Sequence, residues 1–254
     1  MLSDSEMQLI PNGSGALFEA INSNATVKEH VKATRFVQVI GVDNVLNRVL
    51  DPMHVGFSAV RGLEASLKCC VKRNPEEKVG VICVKNGKYD IIEYSEFSKE
   101  QSEKTQQDGR LYFELGNLLM FMLDSSKLIE LCESTDALNK LYHYAFKKVE
   151  FWDGEKLVKP TKENAYKFEL FLHNFLPFCD SGKFGVMLVD RNEEFAPVKN
   201  ADAPLGSNQL VVDTPSIAKD LMLSQHRRWV GDKFNPALVE IDLMLSYQGE
   251  GDKL

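Results

Sequence analysis

The sequence has few of the features that assign a chain to a class at once. Its five cysteines are scattered without CxxC spacing (Cys69, Cys70, Cys83, Cys132 and Cys179), and its five histidines form no HExxH pattern. A disulfide framework and a structural zinc site are therefore not expected, and the cysteine usage fits a reducing, cytoplasmic compartment. The longest apolar run, residues 118–123, is too short to span a bilayer, and residues 1–13 do not form a signal peptide.

Positive charge is also in short supply. The 254 residues carry 30 Lys and Arg against 37 Asp and Glu, a formal net charge of -7. Because a phosphate backbone or an anionic membrane surface would repel such a chain, we expect neither nucleic acid nor membrane as a partner. A local basic pocket for one nucleotide stays open. The GxGxxG, GxxxxGK[ST] and GxSxG signatures are absent, which removes the common phosphate loops and the nucleophile elbow.

The most informative segment that is present covers residues 35–52, RFVQVIGVDNVLNRVLDP. Its pattern predicts a strand over residues 36–42, with Asp43 and Asn44 at the carboxyl end, where open α/β sheets bind ligands. Asp43 is a hard oxygen ligand of the kind that Mg²⁺ prefers. The simpler interpretation is that Asp43 or Asn44 caps a short helical turn, which is the commoner role at such a junction.

Patterns elsewhere predict an α/β fold. Asn86-Gly87 between two apolar segments predicts a two-residue hairpin, because a type I′ turn needs positive φ at both central residues. The hairpin makes the predicted sheet mixed rather than purely parallel. Strands are predicted over residues 54–60, 79–84, 184–190 and 238–247. Helices are predicted over residues 116–123, 128–146 and 165–178, and another begins at Thr214-Pro215.

Polar residues at the ends of these elements are candidates for a site. Gly13 and Ser14 lie in a turn-rich loop, PNGSG, which could approach a base or phosphate or could be a plain turn. Glu93 and Glu96 could do acid–base work or hold sugar hydroxyls, or they could favour the start of a helix through its dipole. Spacing alone favours the second interpretation.

Other candidates have equally simple explanations. Asn117 follows a glycine and could cap a helix. Lys199 lies in a loop behind a predicted strand, where most lysines are solvated and a minority neutralise phosphate. Phe171 and His173 flank an apolar residue and could belong to the core.

Taken in order, several segments resemble one family. They are PNGSGALFEAI, VDNVLNRVLDP, LKCCVKRNPEEKVGVICVKNGKYDIIEYSE, DGRLYFELGN, EEFAPVKNADA and TPSIAKDLMLSQHRRWV. Together they are similar to the eukaryotic UDP-N-acetylglucosamine pyrophosphorylases, within the wider group of UTP-dependent sugar-phosphate uridylyltransferases. The resemblance implies a Rossmann-like nucleotidyltransferase domain with a mixed central sheet, partly present as residues 1–202. Part of a small C-terminal domain would follow as residues 203–254.

The resemblance also implies an activity. The family joins UTP and N-acetylglucosamine 1-phosphate into UDP-N-acetylglucosamine and releases pyrophosphate. The sugar phosphate oxygen attacks the α-phosphorus in line, without a covalent intermediate. Catalysis would therefore depend on positioning and on charge neutralisation by Mg²⁺ and a lysine.

By position, the resemblance assigns a role to each candidate residue. Gly13 and Ser14 occupy the loop that contacts uridine and sugar, Asp43 occupies the place of the metal-side aspartate, and Lys199 that of the lysine that reaches the phosphates. The sugar side would comprise a strand glycine, a Glu-Tyr pair for the hydroxyls, an asparagine near the acetamido group and two ring side chains. These are Gly80, Glu93, Tyr94, Asn117, Phe171 and His173.

Three departures from the family pattern bear on function. Ser14 replaces a usual asparagine, which keeps a broader UDP-sugar pyrophosphorylase as an alternative. His173 replaces a usual second aromatic residue, so that position gains polarity. The family's N-terminal LxxGxGTRL loop is absent from this sequence. We therefore expect the chain as written to bind UTP poorly and to turn over little. A non-catalytic UDP-sugar-binding or interaction protein is the remaining alternative.

Overall fold

A mixed sheet is the centre of the fold. The computed structural model describes residues 3, 5–7, 9, 11–207, 209–230, 241 and 247. The strands of this part are β1 (Phe36–Ile40), β2 (Ala65–Val71), β3 (Val81–Lys85), β4 (Lys88–Ile92), β5 (Leu115–Asp124), β6 (Tyr142–Lys147), β7 (Phe151–Trp152), β8 (Leu157–Val158), β9 (Ala165–Leu170) and β10 (Phe184–Leu188). The helices are α1 (Ala16–Ser23), α2 (Ala25–Lys32), α3 (Pro52–Arg61), α4 (Lys99–Glu103), α5 (Ser125–Glu133), α6 (Thr135–Lys140), α7 (Arg191–Glu194) and α8 (Pro215–Val230), with 3₁₀ segments at Leu172–Phe178 and Ser181–Lys183.

The main sheet has six strands in the order β10-β2-β5-β3-β4, and β1 also pairs with β5. β10 runs parallel to β2, whereas β5 is antiparallel to β1, β2 and β3, and β4 is antiparallel to β3. The α/β fold with a mixed central sheet is therefore confirmed. Outside this sheet, β6 pairs with β9 and β7 with β8.

The central strand β5 is buried on both faces. Phe121 belongs to the larger core cluster, together with Phe18 of α1, Leu128 of α5 and Phe175 of the first 3₁₀ segment. Met120 points to the opposite face, into a smaller cluster that includes Cys70 and Phe195. Burying apolar side chains on both sides is the main favourable term that fixes this strand at the centre. No helix in the described part of the chain is long and apolar enough to cross a membrane.

Local signals account for several elements. Asn86 and Gly87 have φ values of 53° and 75°, which confirms the predicted two-residue hairpin between β3 and β4. Thr214 Oγ1 accepts a hydrogen bond from Ile217 N at 3.5 Å, which confirms the predicted start of α8. The predicted strands over residues 36–42, 79–84 and 184–190 are present as β1, β3 and β10.

Other assignments from the sequence are wrong. Residues 116–123, predicted as a helix, are strand β5, and residues 54–60, predicted as a strand, lie in helix α3. Residues 165–178 form β9 and a 3₁₀ segment rather than one helix, and the region 128–146 contains most of α5, all of α6 and most of β6. The predicted strand over residues 238–247 lies largely outside the described residues. The division at residue 202 stays a prediction.

Candidate functional site

The residues singled out from the sequence lie along one edge of the main sheet. Asp43 follows the carboxyl end of β1, and Glu93 follows the carboxyl end of β4. Gly80 precedes β3, and Asn117 lies near the start of β5. Since β1 is antiparallel to β5 and β3 to β4, these ends and starts belong to the same edge. The register Val81↔Gly116 brings the two halves of the edge together.

A bulge in β5 shapes this edge. The pairing of β5 with β2 shifts register between Leu67 and Cys69, and Leu119 has a φ of 54°. Asn117 Oδ1 accepts a hydrogen bond from Leu119 N at 3.0 Å, and Leu119 O accepts one from Gly41 N at 3.0 Å. Asn117 therefore supports a bulge of the kind found beside many active sites, and no helix follows for it to cap.

The two residues of the Asp-Asn pair after β1, Asp43 and Asn44, have different roles. Asn44 is 3% exposed, its Oδ1 accepts from Leu46 N at 3.2 Å and Ala196 N at 2.8 Å, and its Nδ2 donates to Glu194 O at 2.7 Å. Asn44 therefore supports the turn that was predicted to need a cap, although that turn is not helical. Asp43 is half-buried, and no hydrogen-bond or ion-pair partner of its carboxylate lies within the described residues.

Lys199 is held next to this pair by backbone pairing. Val198 N donates to Asp43 O at 2.8 Å, and Asn44 forms an isolated antiparallel bridge with Pro197. Lys199 follows at once, with an exposed side chain. The exposed ammonium and the unpartnered carboxylate of Asp43 therefore lie on two segments that are hydrogen-bonded to each other. We call Asp43 and Lys199 the ionic end of the site.

Glu93 and His173 form the other end. Glu93 Oε1 lies 3.8 Å from His173 Nε2, and a Cβ atom added to Gly80 would lie 3.2 Å from the same oxygen. Burial, with a contribution from Glu96, raises the pKa of Glu93, and Lys199 offsets part of that rise. The absence of a side chain at Gly80 leaves room for the Glu93 carboxylate, which can accept hydrogen bonds from a ligand when ionised.

Aromatic rings extend this end. Phe171 stacks on His143, with ring centroids 4.4 Å apart and an interplanar angle of 12°, and lies 5.2 Å from the ring of His173. His143 Nδ1 is 4.0 Å from Glu96 Oε1. A cavity of about 350 Å³ opens here, lined by Lys85, Asp90, Ile91, Ile92, Glu96, Gln101, His143, Phe171, His173 and Asn174. We call Glu93, Phe171, His143 and His173 the aromatic end of the site.

The PNGSG loop is fastened to the segment that carries Phe171. Gly13 has a φ of 89°, and a Cβ atom there would lie 2.4 Å from Leu170 O. Gly15 N donates to Leu170 O at 2.7 Å, and Ser14 Oγ accepts from Leu172 N at 3.1 Å. The loop is therefore more than a plain turn, since it needs glycine at Gly13 to lie against the start of the 3₁₀ segment.

Most of the predicted site residues are thus linked by a series of contacts, from Gly13 to the aromatic end and Gly80. From there Gly80 O accepts from Asn117 N at 2.8 Å, and the bulge at Leu119 continues the series to Gly41, two positions before Asp43. Tyr94 stands apart: it is 47% exposed, and its hydroxyl has no hydrogen-bond partner within the described residues. His143 was missed by sequence reasoning, because nothing local marks it and only the pairing of β6 with β9 brings it to Phe171. In the part of the chain that the structure describes, no three His, Cys, Asp or Glu side chains form a metal-binding group.

The mixed sheet and its polar edge define an α/β protein of the nucleotidyltransferase type, and comparisons with known proteins identify the family. The family model for UTP–glucose-1-phosphate uridylyltransferase matches residues 2–238. The chain belongs to that family. A crystal structure of the uridine diphosphate N-acetylglucosamine pyrophosphorylase of Trypanosoma brucei in complex with an inhibitor superposes with a TM-score of 0.76 at 28% identity, covering 95% of this chain and 51% of that one.

Curated relatives are similar over nearly the whole chain. UDP-N-acetylhexosamine pyrophosphorylase-like protein 1 of Xenopus tropicalis is 34% identical over an alignment of 271 positions that covers 97% of this chain and 51% of that protein. The UDP-N-acetylglucosamine pyrophosphorylase of Saccharomyces cerevisiae is 35% identical over an alignment of 251 positions that covers 94% of this chain and 50% of that protein. The chain therefore spans about half the length of these relatives.

The buried histidine at the aromatic end predicts a loss of stability in acid. Burial, with a smaller contribution from His143, lowers the pKa of His173 from 6.5 to about 4. Between these values the unfolded chain binds the proton and the folded chain does not, so stability falls as the pH falls. Urea unfolding measures the effect. Between about pH 7.5 and 5.5, we expect the free energy of unfolding to fall by roughly 1 kcal/mol less in the His173→Phe variant than in the parent.

A second buried histidine supplies the control for this measurement. Burial and the positive charge of Lys68 lower the pKa of His54 to about 4, so the His173→Phe variant should retain a similar acid dependence that comes from His54. His54 lies in α3, away from the aromatic end. Identical pH profiles for the parent and His173→Phe would show that His173 does not remain neutral in the folded chain.

Proposed function

We propose that this chain supplies the sugar-binding and metal-binding side of a uridylyltransferase. The reaction would join UTP and N-acetylglucosamine 1-phosphate into UDP-N-acetylglucosamine and pyrophosphate. The observation that carries the proposal is the shared edge, where one backbone pairing holds an exposed lysine, Lys199, next to Asp43, whose carboxylate has no partner among the described residues. The names of the relatives agree with this chemistry.

At the aromatic end, the proposal assigns the sugar. The Glu93 carboxylate would accept hydrogen bonds from ring hydroxyls, and the exposed Tyr94 beside it would cover the same face of the sugar. Asn117 would contact the acetamido group through its Nδ2, because its Oδ1 already accepts from Leu119 N. Phe171 and His173 would form the wall, and the Gly13-Ser14 loop would lie against the uridine, close to the backbone of the wall.

At the ionic end, the proposal assigns the phosphates. Mg²⁺ is usually held by one or two protein carboxylates together with substrate phosphates, and the unpartnered Asp43 fits this donor set. When bound, Mg²⁺ would neutralise phosphate charge. Lys199 would place its ammonium against the phosphate oxygens and stabilise the charge that develops during in-line attack. Neither residue would form a covalent bond to substrate.

Binding of the reaction product tests the proposal on the chain itself. We expect calorimetry to detect UDP-N-acetylglucosamine binding that strengthens when MgCl₂ replaces EDTA. Asp43→Asn should weaken binding in MgCl₂ by about tenfold and leave binding in EDTA unchanged, because the amide removes the charge that holds the cation. Asp136→Asn is the control and should bind like the parent. The carboxylate that it removes is exposed on α6 and pairs with Lys140.

Two outcomes would contradict the proposal: no binding by the parent chain, or metal dependence that survives in Asp43→Asn. The same titration with UDP-glucose addresses breadth. Ser14 Oγ already accepts from Leu172 N, which reduces its capacity to select a sugar substituent. Equal affinity for UDP-glucose and UDP-N-acetylglucosamine would therefore favour a broader UDP-sugar pyrophosphorylase.

A further inference from the structure

A buried ion cluster lies directly behind the ionic end. Lys68 of β2 is 0% exposed, and its Nζ donates to Asp51 Oδ2 at 2.5 Å and to a carboxylate oxygen of Glu194. Asp51 and Glu194 are themselves 1% and 5% exposed. Arg48 adds a second cation, which lies 3.6 Å from Glu194 Oε1 and is shared with Glu193 Oε2 at the same distance. We call Lys68, Asp51 and Glu194 the buried triad.

Stability alone is a poor explanation for such a triad. Removing ions from water is costly, and well-packed apolar side chains of the same volume often stabilise a fold as much or more. Buried ionic groups are better suited to fixing one arrangement of segments, because a displaced charge would be left without its partner. The question is therefore which segments the triad holds in register.

The triad joins the two segments that carry Asp43 and Lys199. Asp51 ends the first segment, eight positions after Asp43, where it also caps α3 by accepting from Met53 N at 3.0 Å. Glu194 begins the second segment, five positions before Lys199. Lys68 ties both carboxylates to β2, in the middle of the main sheet.

Between these anchors the two segments have little regular structure. They are paired through four hydrogen bonds: Asn44 Nδ2 to Glu194 O at 2.7 Å, Ala196 N to Asn44 Oδ1 at 2.8 Å, Val45 N to Ala196 O at 3.3 Å, and Val198 N to Asp43 O at 2.8 Å. The backbone pairing here is an isolated bridge between Asn44 and Pro197 and does not extend into strands. The fixed positions of Asp51 and Glu194 therefore determine how the segments meet.

We propose that Lys68 is a positioning residue for the ionic end, which holds Asp43 and Lys199 at a fixed separation through Asp51 and Glu194. The inference rests on the proposed function for its consequence in binding, but its structural part can be measured without a ligand. Lys68 itself is buried and touches no substrate. Its effect should therefore appear mainly in the part of ligand binding that depends on the metal, through Asp43, with a smaller effect through the phosphate contact of Lys199.

The test uses a variant that neutralises the triad without leaving a charge behind. Lys68→Met, Asp51→Asn and Glu194→Gln are combined, and Asn at Asp51 can still cap α3. The matched control neutralises an ion pair far from the site, through Lys28→Met with Glu133→Gln. Thermal unfolding of both variants first establishes that each is folded.

Hydrogen exchange then gives the structural readout. In the triad variant we expect the amides of Ala196 and Val198 to exchange about tenfold faster or more, because the pairing that protects them loses its anchors. Amides of the β1–β5 pairing should exchange as in the parent. In the control variant, no change is expected at Ala196 or Val198. Parent-like protection of both amides in a folded triad variant would overturn the proposal, and so would failure of the triad variant to fold, since the triad would then serve general stability.

Binding of UDP-N-acetylglucosamine gives the functional readout. The triad variant should lose most of the gain that MgCl₂ gives, about tenfold, as Asp43→Asn does, and its binding in EDTA should fall by a smaller factor because Lys199 is displaced as well. A purely structural role would weaken binding equally in both buffers, and that result would overturn the positioning role. If the parent chain shows no metal-dependent binding, the proposed function fails. Faster exchange at Ala196 and Val198 would then still support the structural part of the inference.

Discussion

Replacement of Lys68 alone by methionine is expected to lower the free energy of unfolding by about 3–5 kcal/mol. Methionine fits the volume, so the loss comes from charge rather than from packing. Asp51 and Glu194 would be left buried next to each other, with only the more distant Arg48 to balance them. Leaving one partner of a buried ion pair uncompensated is much more costly than removing all partners together.

Urea unfolding of Lys68→Met measures this loss, with Lys140→Met as control. Lys140 forms an exposed ion pair with Asp136 within α6, and its replacement should cost less than about 1 kcal/mol. Equal losses in the two variants would contradict the description of Lys68 as a buried counter-ion.

The pH dependence gives a second check on the same variant. Burial alone would raise the pKa of Asp51, but the hydrogen bond and charge of Lys68, together with the hydrogen bond from Met53 N and the charge of Arg48, lower it below its ordinary value of 3.8. In the parent, the stabilisation from Asp51 is therefore present above pH 3.8 and is lost as the pH falls through the lower folded pKa. Without Lys68 the burial effect remains, so the Asp51 carboxyl should take up a proton more readily in the folded chain. Lys68→Met should accordingly recover part of its stability on mild acidification, which the parent should not do.

The errors in the secondary structure predicted from the sequence have identifiable physical causes. Strand β5 (Leu115–Asp124) is covered on both faces, so its apolar residues run on without the alternation that marks a half-buried strand. A continuous apolar run of this length looks the same in a buried helix and in a buried strand. Helix α3 had the opposite problem, because its aromatic and β-branched residues suggested a strand. The local signals for a helix were nevertheless present, with Asp51 as N-cap, Pro52 at the first helical position and Gly62 in the left-handed conformation at the end.

The site shows a similar division between local and long-range information. Asp43, Glu93, Asn117 and Lys199 could be named because each ends an element or lies in a segment that resembles a family motif. The sequence could not show which residue of the Asp43-Asn44 pair has a structural role. Asn44 has it, because its side-chain amide bonds to backbone groups more than 100 residues away. The same limit applies to Lys68, whose carboxylate partners are 17 and 126 residues distant. A lysine inside the apolar segment SLKCCV was a visible anomaly, but its partners depend on the tertiary fold.

Replacement of Gly13 by alanine should detach the PNGSG loop from the site. Gly13 has a φ of 89°, where an L-residue is strained, and the added methyl group would lie 2.4 Å from Leu170 O and 2.8 Å from Leu170 N. Both of those atoms belong to backbone that is already hydrogen-bonded to Gly15 N and Asn12 O, so neither can move without breaking a contact. We expect a loss of about 2–3 kcal/mol in the free energy of unfolding.

A control at Gly109 distinguishes the cost of the strained φ at Gly13 from the cost of the collision with Leu170. Its φ of 83° is close to that of Gly13, but no atom lies within 4 Å of the position a Cβ atom would take. Gly109→Ala should therefore show the conformational cost alone, about 1 kcal/mol, and any excess in Gly13→Ala measures the collision with the Leu170 backbone. Equal losses in the two variants would mean that the loop is not held against Leu170. If the loop also contacts uridine, as proposed, Gly13→Ala should weaken UDP-N-acetylglucosamine binding by similar factors in EDTA and in MgCl₂, because the loop lies against the aromatic end and not against Asp43. That pattern is opposite to the one expected for Asp43→Asn, so the two variants together test whether the nucleotide and metal parts of the site are separate.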